Sequence, residues 1–131
     1  LVPSLLVAHL FPDQAGWQFA DDVDPSIFEP ENWALGFVLY AVLIAPILEE
    51  ITFRGVALAA LASRGVPLFL SVILSSLAFA AIHLQYSFAA LAVVFLAGVG
   101  FCLLRLASGS MLAVIVAHSA ANAAMLALQM V

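Results

Sequence analysis

Apolar residues fill four long stretches of this chain, and short polar breaks separate them. The first complete stretch covers residues 33–62, the second 68–86, the third 88–107 and the fourth 111–130. Each reaches about 18 residues or more, the length at which an apolar segment reads as a transmembrane α-helix. The breaks carry turn chemistry. Ser63-Arg64-Gly65-Val66-Pro67 separates the first pair, residues 85–87 make a tight connection, and Ser108-Gly109-Ser110 precedes the last helix. Ser110 is placed to cap that helix. Upstream, residues 1–11 read as the tail of an earlier helix ended by Pro12, and 12–32 as an acidic extramembrane loop. The pattern predicts an all-α, polytopic transmembrane helical bundle of about four full helices plus an N-terminal helix remnant. Two regions follow: 1–32, and a transmembrane core over 33–131. The chain opens inside an apolar run without an initiator Met, which predicts a piece of a longer protein.

Composition strengthens the membrane reading and removes other classes. The chain is 66% hydrophobic and 8% charged, beyond the range of a soluble domain. It has no lysine and no basic stripe, so nucleic acid is not an expected partner; membrane lipid is. Cys102 is the single cysteine, which excludes an intrachain disulfide. Most of the acid, Asp13, Asp21, Asp22, Asp24, Glu29 and Glu31, falls in the 12–32 loop and reads as solvation. Arg64 and Arg105 lie in turns that alternating topology puts on one face. The positive-inside rule makes that face cytoplasmic and leaves Trp33 and Tyr86 at the opposite interface. An alanine-rich, lysine-free chain of this kind points to a bacterial cytoplasmic membrane.

Three charges interrupt the first helix, at Glu49, Glu50 and Arg54. A charge at bilayer depth costs roughly 2.5–3.5 kcal/mol on insertion scales, so the cluster needs a tight partner or a function. Glu50 and Arg54 stand one turn apart with the acid N-terminal, the favourable order for an ion pair. Glu49 points about 100° away from Glu50 and is left for other work. The bland reading makes Glu49 an interhelical hydrogen-bonding group; the sharper one makes it a general base. Pro46 withholds a backbone donor one turn earlier and is expected to free the Val42 carbonyl, and a kink there would open space beside Glu49. His83 comes late on the second helix with Phe79 one turn before it. His118 and Asn122 are an i,i+4 pair on the fourth, of the type that stabilises an oxyanion or else a helix contact. His9 reads as interfacial. Gly98, Gly100 and the Ala113, Ala117, Ala121 series read as close-packing positions. At 1.5 Å per residue, Glu49 lies about 20 Å, His83 about 24 Å and Asn122 about 18 Å from turns on one face, compatible with a common layer.

In order, Glu49-Glu50-Ile51-Thr52-Phe53-Arg54, Phe79-Ala80-Ala81-Ile82-His83 and His118-Ser119-Ala120-Ala121-Asn122 resemble the CPBP family. These are CAAX-prenyl-protease-type and bacteriocin-processing membrane proteins, also called Abi. The family pattern is EExxxR, FxxxH and HxxxN on successive helices, and no motif position departs from it. The resemblance covers residues 33–131 and implies an intramembrane endopeptidase of the glutamate type acting on a membrane-associated, prenylated or peptide substrate. It implies that Glu49 and His83 activate water and that His118 and Asn122 form the oxyanion site. Glu50 and Arg54 would support the site, and Phe79 would shape the pocket. No cofactor is implied.

Other readings differ in testable ways. A zinc version would use Glu49, His83 and His118 as ligands with an open position, although the HExxH spacing is absent. A non-enzymatic membrane regulator or immunity scaffold would not need Glu49. A proton pathway would need polar layers beyond the single one visible here, and a serine mechanism lacks a nucleophile context around Ser110.

Overall fold

The computed structural model describes residues 31–129, with side chains over residues 35–128. The predicted helix remnant, His9 and residues 12–30 of the acidic loop lie outside the described residues, as does the side chain of Trp33. The described residues form helices joined by three turns. The first, α1, is one rod over residues 31–63, two residues longer at its start than the apolar pattern suggests. It alternates α-helix (Glu31–Leu39, Ala45–Glu50, Leu58–Ser63) with π-helix (Tyr40–Ile44, Ile51–Ala57). It is followed by α2 (Leu68–Ala81), α3 (Phe88–Ser108) and α4 (Met111–Gln129).

The turns follow their local sequence. Gly65 and Gly109 hold φ of +79° and +65°, the left-handed region that ends helices. The Gly109 amide donates to the Arg105 carbonyl at 3.0 Å, closing α3. Ser110 accepts from the Ala113 amide at 3.2 Å and caps α4, while Ser87 accepts from Ala90 at 3.3 Å and caps α3.

Burial is inverted relative to a water-soluble bundle. Glu50, Arg54, Ser71, Ser75, Ser76 and His118 are buried, while Phe69, Leu84, Phe88, Leu96 and Leu112 are exposed. Lipid accepts apolar surface as readily as a protein core does, so polar groups turn inward and apolar ones outward. The apolar core is small: Leu58, Val72 and Cys102, with Val99 against them. Small side chains let the helices touch. A Cβ on Gly98 would come within 3.2 Å of Phe79 and 3.3 Å of the Ser76 Cα, so α2 and α3 meet nearly backbone to backbone there. Gly100 has open space and makes no such approach.

Among the described residues three helices are long and apolar enough to span a membrane, over Leu35–Ser63, Phe88–Ser108 and Met111–Leu128. The second differs from expectation. It ends at Ala81, not near Tyr86, and its 14 residues rise only about 21 Å. Residues 82–86 turn instead, with the His83 amide donating to Ala80 and the Tyr86 amide to His83. His83 is therefore a turn residue. Its Nδ1 takes the Phe79 carbonyl at 2.9 Å, one of those a helix end leaves without an amide partner.

The first π segment answers to Pro46. Ala45 donates five residues back to Tyr40 in this register. The next donor would serve Ala41, but residue 46 is proline and has none. The freed carbonyl is thus that of Ala41, not of Val42 as in an α register, and it is taken by Asn122 Nδ2 of α4, at 2.9 Å. A sequence irregularity in α1 thus becomes a specific tie between α1 and α4.

Candidate active site

The second π segment of α1 follows Glu50 and contains Arg54. Across it Arg54 Nη1 donates to Glu50 Oε1 at 2.9 Å, and both side chains are fully buried. Arg54 Nη2 reaches over to the Gly98 carbonyl of α3 at 3.1 Å. The guanidinium lies 4.4 Å from the Phe79 ring centre and 5.3 Å from that of Phe101, so its faces meet aromatic surface. The charge is thus neutralised, hydrogen-bonded and covered. Glu50 Oε2 and Arg54 Nε are buried with no protein partner.

From α4, His118 Nδ1 lies 2.8 Å from Glu50 Oε1. A carboxylate can only accept, so Nδ1 carries the hydrogen and donates it. The opposite nitrogen, Nε2, is 3.6 Å from Glu49 Oε2. Glu50 therefore receives both Arg54 and His118, and His118 addresses Glu49 only through Nε2. The imidazole is stacked on Phe101 of α3, with centres 4.7 Å apart and planes 21° off parallel. Phe79 meets it edge-on at 5.9 Å and meets His83 edge-on at 5.1 Å.

Glu49 differs from Glu50 in access. Its carboxyl is 20% exposed and borders a cavity of about 410 Å³. His83, His118, Asn122 and Phe79 line the same cavity. The structure thus gathers the five cavity-facing positions of the three motifs and sets Glu50 and Arg54 behind them. In His83, Nδ1 donates to a carbonyl, so Nε2 is the nitrogen left to accept a proton. His118 and Asn122 do not bond each other; each bonds α1. Asn122 keeps one N–H beyond the one given to Ala41.

Phe101 and Tyr86 also line the cavity, and the sequence reading had assigned neither to the site. Phe101 had no signal, since one phenylalanine in an apolar helix resembles any other. Tyr86, expected at the interface, borders the cavity with its ring 5.4 Å from that of His83. Burial first, and then the nearby Glu49 carboxylate, hold its phenol above the ordinary range, so it stays neutral at working pH. Among the described residues no group of three or more His, Cys, Asp or Glu side chains is arranged to hold a metal ion.

A family model for type II CAAX prenyl endopeptidases, Rce1-like, matches residues 31–124. The chain belongs to this family. The match takes in α1 through most of α4 and all three motifs, and it agrees with the resemblance found in the motifs. Neither a curated protein nor a solved structure matches the chain. At family level this is a CAAX-type intramembrane endopeptidase, and its long apolar helices fit an integral membrane protein.

Proposed function

We propose that this chain hydrolyses a peptide bond of a membrane-associated substrate, prenylated or peptidic, by a glutamate-type mechanism. The observation that carries this reading is the meeting of Glu49, His83, His118 and Asn122 around one cavity. Water between Glu49 and His83 gives a proton to the Glu49 carboxylate as its oxygen bonds the scissile carbonyl carbon. The carbonyl oxygen becomes an oxyanion beside His118 and Asn122. Asn122 donates its second N–H. His118 has committed Nδ1 to Glu50, so it donates from Nε2 as the doubly protonated ring. The tetrahedral intermediate then collapses, the C–N bond breaks, and Glu49 returns its proton to the leaving amine. Glu50 and Arg54 orient His118, and Phe79 forms the wall between the two histidines. The reaction proceeds without a metal. The enclosing membrane is that of a bacterial cell.

The test is cleavage in proteoliposomes of two substrate sets, prenylated CAAX peptides and an unprenylated peptide library. Wild type is compared with Glu49→Gln, with and without chelator. Cleavage by wild type, lost in Glu49→Gln and unaffected by chelator, is the expected result. Chelator-sensitive cleavage restored by zinc would overturn the metal-free mechanism. Cleavage that survives Glu49→Gln would remove Glu49 as the base. A phenotype in cells that persists with Glu49→Gln would favour a regulator or immunity scaffold.

A further inference from the structure

Helix α3 carries none of the three motifs, yet two of its residues one turn apart, Gly98 and Phe101, touch motif side chains. Arg54 Nη2 bonds the Gly98 carbonyl. That carbonyl already serves its own helix and accepts Arg54 with its second lone pair. Gly98 also sits where α2 and α3 nearly touch, 3.2 Å from Phe79 and Ser76 for any added Cβ. These contacts fix the height and rotation of α3. Phe101, three residues on, shares the Gly98 face. Its ring lies flat on His118, and the Arg54 guanidinium is within 5.3 Å of the same ring.

One hydrogen bond from Nδ1 to Glu50 locates a single atom of His118. It does not set the plane of the ring, because the imidazole can still tilt about that bond. The plane decides where Nε2 points. Phe101 on one face and the Phe79 edge remove that freedom. We infer that Phe101 is a positioning residue of the endopeptidase site: its ring face holds the His118 imidazole in the plane that aims Nε2 at the reacting carbonyl oxygen. This rests on the hydrolytic reading above and adds a group that none of the three motifs contains.

The mechanism predicts a kinetic signature. Phe101→Leu, and Phe101→Met as a second variant of similar bulk without a flat face, should lower kcat about 10- to 100-fold, the scale of a small misplacement. KM should change less than about threefold, because the lost contact is to His118 rather than to substrate. Phe101→Tyr keeps the ring face and should restore most of kcat. In a His118→Ala background, Phe101→Leu should add almost nothing, since the two act as a unit. Equal kcat for the Leu and wild-type enzymes, a raised KM at unchanged kcat, or full additivity with His118→Ala would each overturn the inference. Glu49→Gln run alongside separates the two levels. If it is inactive while Phe101→Leu turns over at the wild-type rate, only the positioning role fails. If Glu49→Gln still cleaves, the hydrolytic reading fails and this inference with it.

Discussion

Asn122 and Pro46 lie 76 positions apart and should be energetically coupled, because both act on the Ala41 carbonyl. In wild type the proline offers no N–H, and Asn122 Nδ2 fills the vacancy at 2.9 Å. Removing the amide with Asn122→Ala leaves that part-buried carbonyl without its partner. Interhelical hydrogen bonds in membranes average about 0.6 kcal/mol and reach about 1.7. Leaving a buried acceptor unpaired costs about 1–3 kcal/mol. A loss of about 1–2 kcal/mol follows for the single variant. Pro46→Ala supplies the missing backbone donor. If the π register persists, the new amide bonds Ala41 directly; if the segment relaxes to α-helix, the Ala45 amide does so instead. Either way the carbonyl has a backbone partner, and Asn122→Ala should cost less in that background. The expected coupling is about 1 kcal/mol, measured as a double-mutant cycle on reversible unfolding in mixed micelles titrated with denaturing detergent. Effects that add to within about 0.3–0.5 kcal/mol would refute the reasoning. A cycle on stability keeps this tie separate from any role of Asn122 at the oxyanion.

Two further outcomes follow from the same packing. Arg54→Ala leaves Glu50 buried with only His118 as a partner and should destabilise the bundle by up to about 3–5 kcal/mol. Pairing it with Glu50→Gln should recover part of that loss in the same unfolding assay, and no recovery would mean that the charge is not the cause. Gly98→Ala pushes a methyl to within 3.2 Å of Phe79 and Ser76 and should cost about 1–3 kcal/mol, whereas Gly100→Ala, with open space around it, should be neutral or stabilising. Equal effects at the two glycines would count against a tight α2–α3 approach.

The spans, turns and caps of this protein are local properties, and the sequence determined them except at the end of α2. Uninterrupted apolar residues make helices in lipid, Gly65 and Gly109 supply the left-handed backbone that ends two of them, and Ser110 caps the last. The i,i+4 spacing of Glu50 and Arg54 was enough to anticipate their ion pair. Three motifs on the first, second and fourth apolar segments were enough to place the chain in its family. Tertiary structure decided the rest. The end of α2 is the local exception: no Gly or Pro marks it and Ile82 and Leu84 continue the apolar pattern, yet His83 turns back onto the Phe79 carbonyl four residues earlier. The partner of the Ala41 carbonyl lies on another helix. So does the second donor to Glu50, since His118 comes 68 residues later. Phe101 has no mark that separates it from lipid-facing Phe88, which is 86% exposed. The contacts between helices share one physical reason. In lipid, an apolar side chain gains little by facing inward, so hydrophobicity locates a helix without orienting it. Orientation comes from polar atoms finding partners across the bundle, and those partners exist only once the helices have met.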